Sequence, residues 1–301
     1  MYANFQALLE KRTPGNMPIV AVAAAQDDHA LRAVKQAMDL KIATPILVGD
    51  KPVIESLMNQ IDLPDSIEII HEPDVSLAAA KAVALVKEGR AQILMKGLVN
   101  TAIFLRAVLK SEIGLRTDKT LSHLAMFEVP SQKKILFMTD VALNTFPNQD
   151  QKKDLLVNAM EALHKIGIAM PKVAILSANE TVSDKMPASV DAQTFSEMSK
   201  RGELPAGIVE GPLALDVIES EEAAHHKGIP SQVAGHTDLI LVPDIETGNA
   251  VAKALSHYAG GTMSGILLGA AAPIIVNSRS DSTKGKFFSI VLAEMVHNSK
   301  I

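Results

Sequence analysis

The sequence predicts an α/β protein of two α/β domains with mostly parallel sheets. Three observations predict it. Short apolar runs alternate with amphipathic stretches of helical period along the whole chain, which is the pattern of parallel strands covered by helices on both faces. The alternation breaks once, at residues 122–140, where two strand-like runs lie too close together to admit a helix. The chain has 301 residues and 48% hydrophobic content, enough for two such cores.

The elements follow in chain order. Strands are expected at 18–24, 45–48, 67–70, 91–95, 123–129, 134–139, 173–176, 207–210, 239–242 and 273–277. Each run is too short for a helix, and most are aliphatic or β-branched. A helix is expected over 30–40, capped by Asp27 or Asp28, with Leu31, Val34, Ala37 and Met38 on one face. Another is expected over 101–110. A third, over 151–166, takes Asp150 as its cap and stops at Gly167. A fourth, over 248–258, takes Thr247 as its cap. The runs at 123–129 and 134–139 read as an antiparallel hairpin. Such a break marks a change of sheet, so the second domain is expected to begin there and to end near the glycine pair Gly260-Gly261. The expected division is 1–125 with 265–301 for the first domain and 126–264 for the second.

Composition excludes several function classes. There is no Cys, hence no disulfide, no thiolate metal site and no cysteine nucleophile. A net charge of −5 argues against nucleic acid or an anionic membrane as partner. The longest apolar run, residues 265–276, is too short to span a bilayer and contains Pro273. The N-terminal residues lack the apolar core of a signal peptide. The expectation is a soluble, cytoplasmic protein. No G-x-G-x-x-G, P-loop, H-E-x-x-H or G-x-S-x-G motif is present. His225-His226 sits in a charged amphipathic stretch and reads as a solvated face, and no metal site is expected.

Four constellations remain. The last strand ends in Asn277, Ser278, Arg279, Ser280 and Asp281. In open α/β sheets ligands bind at that edge. Arg279 supplies a planar fixed cation for phosphate or carboxylate. Asn277 and Ser278 can donate to an oxyanion, and Asp281 can accept a proton. The competing reading is a polar turn with a surface Arg–Asp pair. The second is a strand running into Lys96 and Gly97, followed by the helix that opens at Thr101 and contains Arg106. A helix start presents free N–H groups to an anion, and Lys96 adds a point charge. Here the alternative is a surface Lys after a strand and an Arg in a helical salt bridge. Third, Asp140 ends the hairpin with Asn144 in the following loop, and would either position a substrate group or cap the loop. Fourth, Asp244 and Glu246 read as helix caps rather than metal ligands.

With these residues in view the chain resembles the phosphate acetyltransferase and phosphate butyryltransferase family over nearly its whole length. The resemblance is carried by Leu94-Met95-Lys96-Gly97-Leu98-Val99-Asn100-Thr101 with Phe104-Leu105-Arg106, by the segment 122–130, and by Lys185-Met186-Pro187-Ala188. It continues through Gly211-Pro212-Leu213-Ala214-Leu215-Asp216, the segment 243–249, and Ser278-Arg279-Ser280-Asp281-Ser282. The Met-Lys-Gly-Leu, Lys-Met-Pro-Ala and Ser-Arg-x-Asp-Ser forms are nearer the butyryl branch. The resemblance implies two α/β domains around a cleft, as in isocitrate and isopropylmalate dehydrogenases. It implies reversible acyl transfer between CoA and phosphate, with CoA as substrate, no tightly bound cofactor and no metal. It further implies a homo-oligomer coupled metabolically to an acyl-phosphate kinase. Carried over, Arg279 binds phosphate, Ser278 stabilises the tetrahedral intermediate and Arg106 is similar to a residue that holds CoA. Lys96, Gly97, Thr101, Asn277, Asp140 and Asn144 complete the expected binding set. One departure stands out. The acetyl branch carries a longer loop before its proposed catalytic Asp, which Asp281 would replace here. Three rival readings are a phosphate acetyltransferase, a metal-dependent decarboxylating dehydrogenase and a non-catalytic CoA or acyl-phosphate sensor.

Overall fold

The computed structural model describes residues 2–13, 15–278 and 281–299. Their strands are β1 (Ile19–Ala23), β2 (Thr44–Gly49), β3 (Glu68–His71), β4 (Ile93–Lys96), β5 (Ser122–Glu128), β6 (Leu136–Thr139), β7 (Lys172–Leu176), β8 (Ile208–Leu213), β9 (Leu239–Leu241), β10 (Thr262–Leu268) and β11 (Ile274–Ile275). Their helices are α1 (Phe5–Glu10), α2 (Asp28–Asp39), α3 (Lys51–Gln60), α4 (Val75–Lys87), α5 (Thr101–Val108), α6 (Gln149–Lys165), α7 (Pro187–Lys200), α8 (Leu215–Glu219), α9 (Glu221–His226), α10 (Ile245–His257) and α11 (Thr283–Asn298).

The chain divides into two compact units, one of Met1–Leu8 with Ser122–Met263 and one of Leu9–Leu121 with Ser264–Ile301. The N-terminal eight residues therefore leave the domain assigned to them from sequence. The reason is local packing. Phe5 and Leu8 are buried, the Phe5 N–H donates to Glu128 Oε2 at 2.6 Å, and Ile135 N–H donates to the Tyr2 carbonyl at 2.9 Å. The hairpin also moves as one piece, since β5 and β6 pair antiparallel in the register Met126↔Phe137.

In the unit containing β1, neighbouring strands follow the order β3-β2-β1-β4-β11-β10. β1 pairs in parallel with β2 and β4, and β4 pairs in parallel with β11. The chain passes β1, β2, β3 outward on one side and then returns to place β4 on the other side of β1. This reversal is a topological switch point, and the carboxyl ends of β1 and β4 flank it. The strands read as continuous apolar runs because both faces are covered; β1 is buried from Val20 to Ala23, and α2 and α11 pack together. Within α11 every residue from Gly285 to Val296 is buried.

In the other unit the order is β5-β6-β9-β7-β8. β6, β9, β7 and β8 run parallel. The core gathers Phe127, Met138, Ala174, Leu213, Val217 and Ile240, among others.

Two expectations are corrected by the structure. Besides the strand expected at 273–277, which is β11, the apolar run 265–276 holds most of a second strand, β10, that was not expected. Gly269 adopts φ 84° and turns the chain, so β10 and β11 pair antiparallel at Leu267↔Ile274. Two helix starts also lie earlier than expected. Asn148, not Asp150, caps α6 in a reciprocal capping box with Gln151, and Asp244, not Thr247, caps α10.

Candidate active site

Consider first the carboxyl ends of β1, β4 and β11. Each strand feeds a helix whose first turn is capped by a side chain. Asp27 accepts from Ala30 N at the start of α2, Asn100 from Ala102 N at α5, and Ser282 from Gly285 N at α11. Because the three strands are parallel and adjacent, the three helix N-termini, with their positive dipole ends, sit at one sheet edge.

Lys96 closes β4 and is buried. Its Nζ donates to the carbonyls of Gly97 and Val99 at 3.2 and 3.3 Å, holding the loop that leads into α5. Gly97 is required by contact. Its N–H bonds the Ala23 carbonyl at 2.8 Å, and a Cβ there would lie 2.3 Å from the Ala24 carbonyl oxygen. Thr101 is exposed and opens α5. Arg106 is exposed in the last turn of α5 and makes no ion pair among the described residues. It stands more than a turn down the helix from the sheet edge.

Beyond β11, Asn277 is buried while Ser278 is exposed. Asp281 folds back on both. Its Oδ2 accepts from Ser278 N–H at 2.8 Å and from Asn277 Nδ2 at 3.3 Å. Asn277 Nδ2 also reaches Ser289 Oγ on α11 at 3.3 Å, and its Oδ1 is buried with no partner among the described residues. Asp281 thus has a loop-shaping task, in keeping with the polar-turn reading of its position. Arg279, the central cation of the expected site, lies outside the described residues, as does Ser280. Lys286, which the sequence reading passed over, donates from Nζ to the Ser278 carbonyl at 2.9 Å. The sequence carried little signal for it: Thr283-Lys284-Gly285-Lys286 reads as an ordinary polar helix start before Phe287 and Phe288.

Asp140 and Asn144 belong to the other unit and form a cluster of their own. Asp140 is 2% exposed. Its Oδ1 accepts from Ala142 N–H and Leu143 N–H, each at 2.9 Å. Its Oδ2 accepts from His123 N–H at 3.2 Å and from Asn144 Nδ2 at 2.6 Å. The carboxylate fastens the β6–α6 loop to β5. The start of α10 packs on the same loop: Asn249 Nδ2 donates to the Val141 carbonyl at 3.2 Å, and a Cβ at Gly248 would lie 2.6 Å from the Asp140 carbonyl oxygen. Asp244 accepts from Thr247 N–H at 2.8 Å, so it is a cap, as the sequence indicates. Among the described residues no cluster of three or more His, Asp or Glu is placed to hold a metal. No helix among them is long and apolar enough to cross a membrane.

The structure therefore brings Lys96, Gly97, Thr101, Asn277, Ser278 and Asp281 to neighbouring strand ends of one unit. It gathers Asp140 and Asn144 in the other unit, and leaves Arg106 down its helix. The edge gathers three helix N-termini, the buried ammonium groups of Lys96 and Lys286 and the exposed Ser278.

Residues 66–294 match the family model described as "Phosphate acetyl/butaryl transferase". The chain is 47% identical over 301 residues to a phosphate butyryltransferase of Clostridium acetobutylicum, covering all of both chains. It is 40% identical over 279 residues to a phosphate acetyltransferase of Rhizobium meliloti, covering 92% of this chain and 88% of that one. The crystal structure of a branched-chain phosphotransacylase from Enterococcus faecalis superposes with a TM-score of 0.81 at 34% identity, covering 94% of this chain and 100% of that one. By sequence and by fold, this chain belongs to the phosphate acetyl/butyryl transferase family.

Proposed function

We propose that this protein reversibly transfers a short acyl group between CoA and inorganic phosphate, with four-carbon and branched acyl groups favoured over acetyl. The observation that carries the reading is the 47% identity, end to end, with a phosphate butyryltransferase. The branched-chain phosphotransacylase at a TM-score of 0.81 supports the choice of acyl group.

In the direction of acyl-CoA synthesis, the CoA sulfur attacks the carbonyl carbon of the acyl phosphate. The C–S bond forms, a tetrahedral oxyanion develops, and the C–O bond breaks to release phosphate. The thiol proton passes to a base, for which Asp281 is the candidate. Ser278 donates to the oxyanion, and Arg279 neutralises the departing phosphate. The helix N-termini and Lys96 add fixed positive potential at the sheet edge. Absence of Cys and of a serine elbow suits direct transfer rather than an acyl-enzyme. Lys96, Gly97, Thr101, Asn277, Asp140, Asn144 and Arg106 are proposed for substrate binding, with Arg106 toward CoA. The dehydrogenase-like two-domain scheme, the homo-oligomer and the coupling to an acyl-phosphate kinase belong to the same proposal.

The test is phosphate-dependent CoA release from acetyl-, propionyl-, butyryl- and branched acyl-CoAs. Each buried methylene contributes about 0.8 kcal/mol. Two extra methylenes should then raise kcat/KM by roughly ten- to twentyfold without excluding acetyl. Activity with acetyl-CoA equal to or above butyryl-CoA would reassign the acyl group. No phosphate-dependent release from any of them would overturn the reaction itself.

A further inference from the structure

α11 is buried from Gly285 to Val296 and contains two charged groups in that stretch, Lys286 and Glu294. They are treated differently. Glu294 is met by the guanidinium of Arg12, whose Nη1 lies 2.7 Å from Oε1. Lys286 is 2% exposed, and its Nζ donates to one backbone carbonyl, that of Ser278, at 2.9 Å. No carboxylate among the described residues pairs with it. A buried ammonium needs a charge partner as well as a dipole, and it carries three donors.

Its place in the helix sharpens the point. Ser282 is the N-cap, so Lys286 and Lys284 both lie in the first turns, and no acidic residue stands in the first turn. Cations are disfavoured at the positive end of a helix dipole. Stability alone would place Asp or Glu there. Close by, Asn277 holds a buried side-chain oxygen without a partner among the described residues, and its amide is tied to Ser289 of the same helix.

We propose that Lys286 is a positioning residue for a phosphoryl anion: it anchors the Ser278 carbonyl and offers its unmatched positive charge to the anion bound at that loop. The inference rests on the phosphate-dependent acyl transfer proposed above, and it names the group beneath the loop that completes the anion site. The phosphoryl group could be inorganic phosphate or a phosphate of CoA, and separate kinetic arms distinguish them.

The experiment compares wild type with Lys286→Gln, which keeps a donor for the carbonyl and removes the charge, and with Lys286→Met, which removes both. The expected result for Lys286→Gln is a phosphate KM at least fivefold higher with a CoA KM within twofold of wild type. Lys286→Met should lose at least tenfold more in kcat/KM for phosphate than Lys286→Gln does. Inorganic phosphate alone should raise the melting temperature of wild type and not of Lys286→Gln, a readout that needs no turnover. A shift confined to the CoA KM also supports the charge partnership and identifies the anion as a CoA phosphate. Folded variants whose phosphate KM, CoA KM and phosphate-induced melting shift all match wild type would overturn the proposal, as would loss of fold in both variants. If wild type itself releases no CoA with phosphate, the reaction assignment fails instead, and the melting shift still decides the role of Lys286.

Discussion

At the scale of single residues, the loop after β11 combines side chains with distinct tasks. Asp281 binds the Ser278 N–H and the Asn277 amide, and Lys286 binds the Ser278 carbonyl. The exposed Ser278 is thus held on both sides of its backbone. Arg279→Ala should lose nearly all turnover while circular dichroism and melting stay close to wild type. Loss of a charge-assisted phosphate contact costs on the order of 3 kcal/mol in the transition state, about a hundredfold or more in rate. Near-normal kcat and phosphate KM in the folded variant would remove Arg279 from the site. Asp281→Asn separates two roles. Asn retains an oxygen that can accept the loop hydrogen bonds but cannot take a proton from the CoA thiol. If Asp281 is the base, kcat falls with little change in CoA KM, and part of the loss returns at high pH as more thiol ionises. An unchanged pH–rate profile would leave Asp281 as a loop-shaping residue alone.

At the scale of elements, helix starts decide where backbone N–H groups point. α10 starts at Ile245 because Asp244 accepts from Thr247 N–H, and Glu246 is exposed with no part in that cap. Asp244→Ala should destabilise the protein by about 1 kcal/mol, read by urea unfolding, whereas Glu246→Ala should change stability by no more than about 0.5 kcal/mol. Equal losses in the two variants would mean that the pair of acids serves some other purpose. The Asp244 variant should also lower activity, because α10 packs through Asn249 and Gly248 on the loop that Asp140 organises.

At the scale of the whole molecule, residues 282 positions apart are joined inside one unit by Arg12 and Glu294. Burial raises the Glu294 carboxyl above its ordinary value of 4.5, and the neighbouring guanidinium opposes that rise. A carboxyl raised in the folded state favours folding while protonated, so its contribution is full below the ordinary value. It is lost as pH rises through the raised value. Removing Arg12 raises the carboxyl further and leaves an uncompensated buried charge at neutral pH. Arg12→Ala should therefore cost on the order of 3 kcal/mol at pH 7 and clearly less near pH 4.5, by urea unfolding at each pH. A deficit independent of pH would show that Arg12 acts through packing rather than charge.

What the sequence determined by itself was local or carried by order and spacing. Apolar runs and caps located most strands and several helices, because burial on both sheet faces leaves a continuous hydrophobic run that is readable without partners. The order and spacing of six short stretches, from Leu94-Met95-Lys96-Gly97 to Ser278-Arg279-Ser280-Asp281-Ser282, carried the family resemblance, and the family match over residues 66–294 bears it out. Tertiary structure decided what depends on partners distant in the chain. Residues 1–8 join the unit of Ser122–Met263 because Phe5 meets Glu128 and Tyr2 meets Ile135, pairings without a local signal. The run 265–276 splits at Gly269 because β10 and β11 pair with each other, which hydropathy alone does not register. Asp140 and Asp281 bind the loops around them, a role that their residue type shares equally with catalysis. Lys286 looked like any helical lysine until the fold buried it beneath Ser278 without a carboxylate partner among the described residues. The physical reason is common to all of these: a sequence records which groups can bear charge or avoid water, while burial and hydrogen-bond partners are set only when distant segments meet.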